Sequence, residues 1–188
     1  MKKMSLRARV VTGAVAVAAL GAGTLGAVSA SAETAAAQPN QAPAAVRADA
    51  ANRNLTESTG LTVEAATKAA QAALDAAQKS GQHVSVAVVD RNGVTRVLLK
   101  GDGAGPQSPE SAERKAFTAV SWNAPTSELV KRLATTPNLK DIPGTLFLGG
   151  GAPVQAKGAP IAAVGVAGAP SGDLDEQFAQ AGVAALGK

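Results

Sequence analysis

Sulfur is almost absent from this chain of 188 residues. It has no cysteine, and its only methionines are Met1 and Met4. Disulfide bonds, thiolate ligands and cysteine catalysis are therefore excluded, although exported proteins often rely on disulfides. The fold must be held by its apolar core, with or without added contacts from oligomerisation.

Aromatic and histidine side chains are also scarce. The chain has no tyrosine, one histidine, and four aromatic residues: Phe117, Trp122, Phe147 and Phe178. A serine hydrolase needs a histidine base near a motif such as G-x-S-x-G, and the single histidine, His83, has no such partner. Alanine and valine must fill most of the core, so we expect helices to approach their neighbours closely.

The first 32 residues predict a secretory signal peptide. An uncharged run over residues 10–28 follows a positive leader and ends near the small-residue sequence Ala30-Ser31-Ala32. The leader contains Lys2, Lys3, Arg7 and Arg9. We expect cleavage after Ala32 rather than a retained anchor, which gives a secreted protein that is not embedded in a membrane.

Much of the positive charge belongs to that leader. The chain has 18 Lys+Arg and 14 Asp+Glu, and removing the four leader bases leaves 14 of each. The mature chain thus lacks the basic surface that nucleic-acid binding requires. Residues 33–58, rich in Ala, Gln, Asn and Pro, predict a flexible tether, and residues 59–188 predict one domain.

Hydrophobic periodicity predicts the element order α-β-β-α-α-β-β-β-α. Asn92-Gly93 is the strongest hairpin signal and joins the strand-like runs HVSVAVVD and RVLLK. Three further short runs, TLFLGG, APVQA and PIAAVGVAG, bring the expected number of strands to five. Because short turns join consecutive strands, we expect an antiparallel sheet covered by helices, which is an α+β fold.

Helix boundaries and glycine clusters complete the local prediction. Four residues are predicted to cap helix N-termini: Thr62, Ser108, Thr126 and Asp173. The glycine clusters GDGAG and LGGGAP do not match a phosphate loop, because no Lys-Ser/Thr pair follows either cluster. Turn and bulge glycines are expected, although LGGGAP would also let a flat ligand approach the backbone.

Two glutamates in the stretch SPESAERKAF, Glu110 and Glu113, leave two interpretations open. Their i, i+3 spacing places both carboxylates on one helix face, where they could bind a hard cation such as iron, manganese or calcium. Acids in a first turn also complement the helix dipole, and Glu110 can pair with Arg114 at i, i+4.

Lys115 is unusual in the same stretch. Its helical neighbours at i−3, i+1 and i+4 are Ala112, Ala116 and Ala119, so its ammonium lies on a small apolar face. It is either a lysine that extends its charge to solvent or a cation that binds an anionic ligand. His83, at a strand start, is either a surface residue or a ligand.

Five stretches of the chain carry a family resemblance: LTVEAATKAAQAALDAA, VSVAVVDRNG, SAERKAFTAVSWNAPTSEL, PGTLFLGGGAPV and IAAVGVAGAPSGDLDEQFAQAG. Through them the chain, from Leu61 to its C-terminus, resembles the GlcG/HbpS-like family of haem-binding and haem-degrading proteins. That resemblance implies a profilin-like α/β/α sandwich over a five-stranded antiparallel sheet, often assembled as an oligomer.

The resemblance also implies binding residues. Glu110 and Glu113 fall where the exported branch of the family carries an iron-linked acidic pair, and Thr145 falls where a hydroxyl approaches haem iron. His83 is the alternative ligand of the usual haem-binding kind. Apolar contacts and propionate partners are then expected from Ile142, Leu146, Phe147 and Val154, and from Arg114, Lys115 and Lys140.

The function implied is that of an extracellular protein that binds haem b and iron and senses haem and redox state during oxidative stress. It would oligomerise and contact the extracellular domain of a two-component sensor kinase. The alternative is an enzyme that degrades haem or converts a small molecule. A scaffold without a ligand is the third interpretation.

Overall fold

The computed structural model describes residues 49–187. The predicted signal peptide and most of the predicted tether lie outside these residues. Residues 49–58, the described part of the tether, are exposed and contain only a short 3₁₀ turn, Asn52–Asn54. No helix within 49–187 is long and apolar enough to cross a membrane.

The described domain contains four α-helices and four β-strands. The helices are α1 Val63–Lys79, α2 Ser108–Trp122, α3 Thr126–Lys131 and α4 Gly172–Ala184, and the strands are β1 Ser85–Asp90, β2 Thr95–Lys100, β3 Gly151–Ala156 and β4 Ala159–Ala167. Short 3₁₀ segments follow α3, at Arg132–Ala134 and Pro137–Asp141, and α4, at Ala185–Gly187.

The strands form one antiparallel sheet in the order β2-β1-β4-β3. The predicted hairpin at Asn92-Gly93 is confirmed, and Gly93 has a φ of 81° that favours glycine. Lys157 and Gly158 both have positive φ and close the β3–β4 hairpin, as expected for a two-residue turn.

Residues alternate between the two faces of the sheet and so define three layers. Val86 and Val88 face α1 and α4, whereas Ala87 and Val89 face α2. Small side chains permit close packing, as the composition predicts. A Cβ at Gly165 of β4 would collide with the α2 backbone, so this position requires glycine.

The prediction of five strands is wrong, because TLFLGG, residues 145–150, forms no strand. Four of its backbone N–H groups have hydrogen-bond partners, and none of the four bonds to a strand: Thr145 N and Leu148 N bond to the nearby carbonyls of Ile142 and Leu146, and the other two bond to helix side chains. Leu146 N donates to Thr118 Oγ1 at 2.8 Å, and Gly150 N donates to Glu176 Oε2 at 3.4 Å. The apolar pattern of TLFLGG reflects burial against helices. Over so few residues, this pattern cannot be distinguished from that of a buried strand.

The predicted caps have mixed outcomes. Thr62 caps α1 by accepting a hydrogen bond from Ala65 N at 3.2 Å. Ser108 is instead the first residue of α2 and donates to Gly105 O at 2.7 Å. Ser171, rather than Asp173, caps α4. Thr126 does not cap α3 with its side chain either.

Candidate functional site

Thr145 begins the loop segment that replaces the fifth strand. Its carbonyl accepts a hydrogen bond from Arg114 Nη2 at 2.8 Å, and its hydroxyl donates to Ile142 O at 2.7 Å. The residue is 2% exposed. The hydroxyl therefore keeps its lone pairs but lies beneath the 142–144 turn.

Arg114 connects this loop to the first turn of α2. Its Nη1 lies 3.8 Å from Glu110 Oε1, so the i, i+4 pair expected from the sequence forms. The two hydrogen-bonding ends of the guanidinium thus bridge Glu110 and the backbone of Thr145. The side chain remains 41% exposed and can still reach an external anion.

Glu113 faces a shallow groove of about 200 Å³ between the β1–β2 hairpin and α2, lined also by Arg114, Phe117 and Gly144. Its Oε1 accepts a hydrogen bond from Thr95 Oγ1 at 2.9 Å. Within residues 49–187 no cluster of three or more His, Asp or Glu could hold a metal. A cation at the acidic pair would need water or a second molecule to complete its shell.

The remaining predicted contacts divide between core and surface. Phe147 is buried with its ring 5.3 Å from that of Trp122 in an edge-on contact, so it supports the loop from inside. Ile142 is 41% exposed, and Lys140 is also exposed two residues before it. Of the predicted contacts in this segment, Ile142 and Lys140 are therefore the accessible ones.

His83 lies far from Thr145 in this fold. It precedes β1, whereas the 142–145 turn packs near Phe117 and the hairpin beyond the other end of that strand. A strand of six residues spans about 20 Å. His83 and Thr145 of one molecule therefore cannot ligate the same metal centre.

The tautomer of His83 follows from its hydrogen bond. Its Nδ1 lies 2.7 Å from the carbonyl oxygen of Asp102, which can only accept. Nδ1 therefore carries a proton, and in the neutral imidazole the lone pair is on Nε2. The neutral imidazole could ligate a metal through Nε2, and the exposed side chain borders a small hollow with Gln78, Gln82 and Asp102.

Lys115 forms a buried ion pair that the sequence did not predict. Its Nζ lies 2.7 Å from Asp175 Oδ2 and donates to Val166 O at 3.1 Å. The two side chains are 5% and 4% exposed, so this lysine does not extend its charge to solvent. Asp175 Oδ1 accepts from Ala169 N at 3.0 Å, which ties the β4–α4 loop to the pair.

Burial raises the pKa of Asp175 above its ordinary value of 3.8, and the hydrogen bond and charge of Lys115 partly offset that rise. One sequence feature could have predicted this pair, namely an acidic residue on the apolar face of the last helix. Asp175 precedes Phe178 and Ala179 by three and four positions, so it shares their buried side.

Glu176, the next residue of α4, holds the other end of the loop segment. Its carboxylate accepts from Ser127 N at 2.9 Å and Ser127 Oγ at 2.6 Å, at the start of α3. Gly151 N donates to Thr126 Oγ1 at 2.8 Å beside it. Side chains of α2, α3 and α4 therefore fix both ends of the 145–151 segment.

A cavity of about 440 Å³ lies between α3, the segment 148–149 and the β4–α4 loop. Lys115 and Asp175 form part of its wall, together with Ser127, Val130 and Leu148. Thr145 and His83 do not line it. The groove near Thr145, this larger cavity and a small hollow of about 150 Å³ that includes His83 are therefore separate features of the described domain.

Comparison with known proteins identifies relatives of the whole domain. Residues 61–184 match the family model described as "Haem degrading protein HbpS-like". No curated protein matches this chain.

Solved structures include close relatives. One is a variant of Streptomyces reticuli HbpS in which two glutamates three positions apart are replaced by aspartate; it is 73% identical, covers 78% of this chain and 100% of that chain, and has a TM-score of 0.76. A second HbpS structure is 75% identical over 75% of this chain and 100% of that chain, with a TM-score of 0.74. A complex of PduOC with haem is 27% identical over 68% of this chain and 95% of that chain, with a TM-score of 0.62.

Proposed function

This chain belongs to the HbpS-like family, and from that membership we propose that it binds haem. The observation that carries the proposal is the match of residues 61–184 to a family described as haem degrading. The haem complex of PduOC, a relative at 27% identity, adds support from a more distant member of the same fold.

We place the haem at the groove beside Thr145. Residues 5–188 contain no Cys, Met or Tyr, so the donors available are His83 and weaker oxygen ligands. The Thr145 hydroxyl is such an oxygen, and it is covered by the 142–144 turn. These residues fit a weakly held and exchangeable haem whose binding requires the turn to move.

Charge and covalent chemistry define the kind of haem. Without cysteine no thioether link can form, so the group is a non-covalent haem such as haem b. Arg114 and Lys140 are two accessible cations that could pair with propionates on this side. Lys115 is excluded from that role in this conformation, because its ammonium is buried against Asp175.

A hemin titration of protein lacking residues 1–32 tests this proposal. We expect a saturable shift of the Soret band, with rapid loss of the haem to a competing haem acceptor, because a hydroxyl is a weak ligand. A titration with no saturable spectral change would refute haem binding.

We further propose that the protein is exported and acts beside a sensor kinase as an oligomeric sensor of haem and redox state. The signal-like residues 1–32 support export, and the resemblance to the exported branch of the family supports the kinase partnership. Pull-down with the extracellular domain of such a kinase, with and without hemin, tests the partnership. Equal capture in both conditions would reject haem sensing.

Haem degradation is the second candidate, and the description of the family favours it. Bound haem incubated with a reductant and oxygen distinguishes the two functions. Loss of the Soret band over many turnovers with one defined product would establish an enzyme, whereas bleaching of one equivalent would leave a binding protein.

Glu110 and Glu113 are proposed as an iron site. The glutamates replaced in the Streptomyces reticuli protein have the same i, i+3 spacing. Replacing both residues with glutamine should abolish most of the iron bound per molecule, because neutral amides are poor ligands for a hard cation. Elemental analysis after ferrous loading measures this.

The matched control replaces two exposed glutamates elsewhere, Glu57 and Glu64, with glutamine. This change removes the same charge and should leave the iron content unchanged. Equal iron content in both double variants would show that Glu110 and Glu113 bind no iron and only complement the helix dipole.

A further inference from the structure

We propose that the cavity between α3 and the β4–α4 loop is a second binding site, which takes a small carboxylate. Its volume of about 440 Å³ lies within the range of about 300–1,000 Å³ typical of small-molecule sites. The proposal does not depend on haem binding, because the cavity shares none of its lining residues with the groove near Thr145.

The Lys115 ammonium supplies the central donor. It has three N–H bonds, and Asp175 and Val166 O accept two of them. The third has no acceptor among the described residues. Burying an ion pair costs free energy. Lys115 is only 5% exposed at the cavity wall, so its ammonium is a buried donor and not a solvated surface charge.

The start of α4 supplies further donors at the same cavity. Ser171 satisfies Leu174 N with its hydroxyl and Asp175 N with its carbonyl. The N–H groups of Gly172 and Asp173 have no partner among the described residues, and both residues line the cavity. α4 has 13 residues, so its dipole adds positive potential there.

Glycines let the backbone pack closely beside these donors. A Cβ at Gly150 would lie 2.8 Å from Lys115 Nζ. A Cβ at Gly149 would lie 2.8 Å from the backbone of Gly172, so the loop and the helix start meet without side chains between them. Lys115 and the start of α4 therefore border the cavity beside backbone that leaves no room for a side chain at 149 or 150.

The remaining lining defines the class of ligand. Val130, Leu148 and Pro170 provide an apolar wall, and Leu148 is 54% exposed. The charge of Asp175 is matched by Lys115, and Asp173 is exposed, where solvent and salt screen it. The arrangement suits a metabolite-sized acid with one carboxylate and a short apolar part.

Titration of the haem-free protein with sodium pyruvate, followed by amide NMR, tests the proposal. We expect saturable shifts centred on the amides of Gly172 and Asp173, because these N–H groups would receive the carboxylate. No saturable shift at these amides would overturn the proposal. Shifts produced by inorganic phosphate but not by pyruvate would overturn the assignment to carboxylates.

Leu148→Glu and Leu98→Glu form a matched pair of variants. Both leucines are exposed, at 54% and 42%, but only Leu148 lines the cavity. An acid at the cavity mouth should weaken pyruvate binding by about fivefold through like-charge repulsion, whereas Leu98→Glu should leave it unchanged. Equal affinities in the two variants would place pyruvate elsewhere and reject the site.

Discussion

Replacing Lys115 with methionine should lower the free energy of unfolding at neutral pH by about 3–5 kcal/mol, because it leaves Asp175 buried without its partner. Methionine keeps much of the length and volume of the lysine, so loss of packing contributes little. Urea denaturation of the two proteins measures the difference in midpoint.

Lys100→Met is the matched control. Lys100 is exposed on the edge strand β2, and its replacement should change stability by no more than about 0.5 kcal/mol. A double variant, Lys115→Met with Asp175→Leu, should recover much of the loss, since an apolar pair can replace a buried ion pair. A Lys115→Met protein as stable as Lys100→Met would show that the pair contributes nothing.

The stability lost in Lys115→Met should be smaller at acid pH, and the direction of this change follows from the pKa of Asp175. Burial raises the pKa of this carboxyl above 3.8, and removing Lys115 removes what partly offsets the rise. Between 3.8 and the raised pKa, the folded variant binds more protons than the unfolded chain, so its stability falls as pH rises through that window. Denaturation from about pH 4 to about pH 8 should therefore show a gap between wild type and variant that widens with pH.

Replacing Thr145 with valine should raise the hemin dissociation constant by about tenfold or more, which corresponds to about 1.4 kcal/mol. Valine preserves the branched shape and removes only the hydroxyl that is proposed to approach the iron. His83→Ala should change the constant much less, because His83 lies beyond the opposite end of β1. Soret titrations of the three proteins measure these constants.

Thr135→Val is the control for the lost hydrogen bond. Thr135 donates to Arg132 O three positions earlier, as Thr145 donates to Ile142 O, but it is exposed and does not line the groove. Hemin affinity should be unchanged in this variant. A larger effect from His83→Ala than from Thr145→Val would move the haem to the His83 end of the sheet.

Local patterns predicted the parts of this fold that depend on nearby residues. The cap at Thr62 and the hairpin at Asn92-Gly93 involve residues within four positions of each other. Their backbone geometry is decided by short-range sterics and hydrogen bonds, which a sequence shows directly. Small residues also predicted close helix packing, as Gly165 demonstrates.

The sequence alone did not reveal the partners of the chemically active side chains. The Glu110–Arg114 pair is local and was predictable, but Lys115 and Asp175 are 60 positions apart, and Glu176 and Ser127 are 49 apart. The same stretch of α2 thus sends Arg114 to the backbone of Thr145 and Lys115 to a different cavity. Spacing along the helix shows that Arg114 and Lys115 point in different directions, but it does not show which residues each side chain contacts.

By itself the sequence therefore determined the helices, the hairpins, the α+β class and the family, because these depend on periodicity and on motifs within short stretches. Only the tertiary structure decided that residues 145–150 remain outside the sheet, that His83 and Thr145 lie apart, and that Lys115 is buried against Asp175. The physical reason is the same in each case. A buried backbone or charged group must find a partner, and which partner is nearest depends on how distant segments pack.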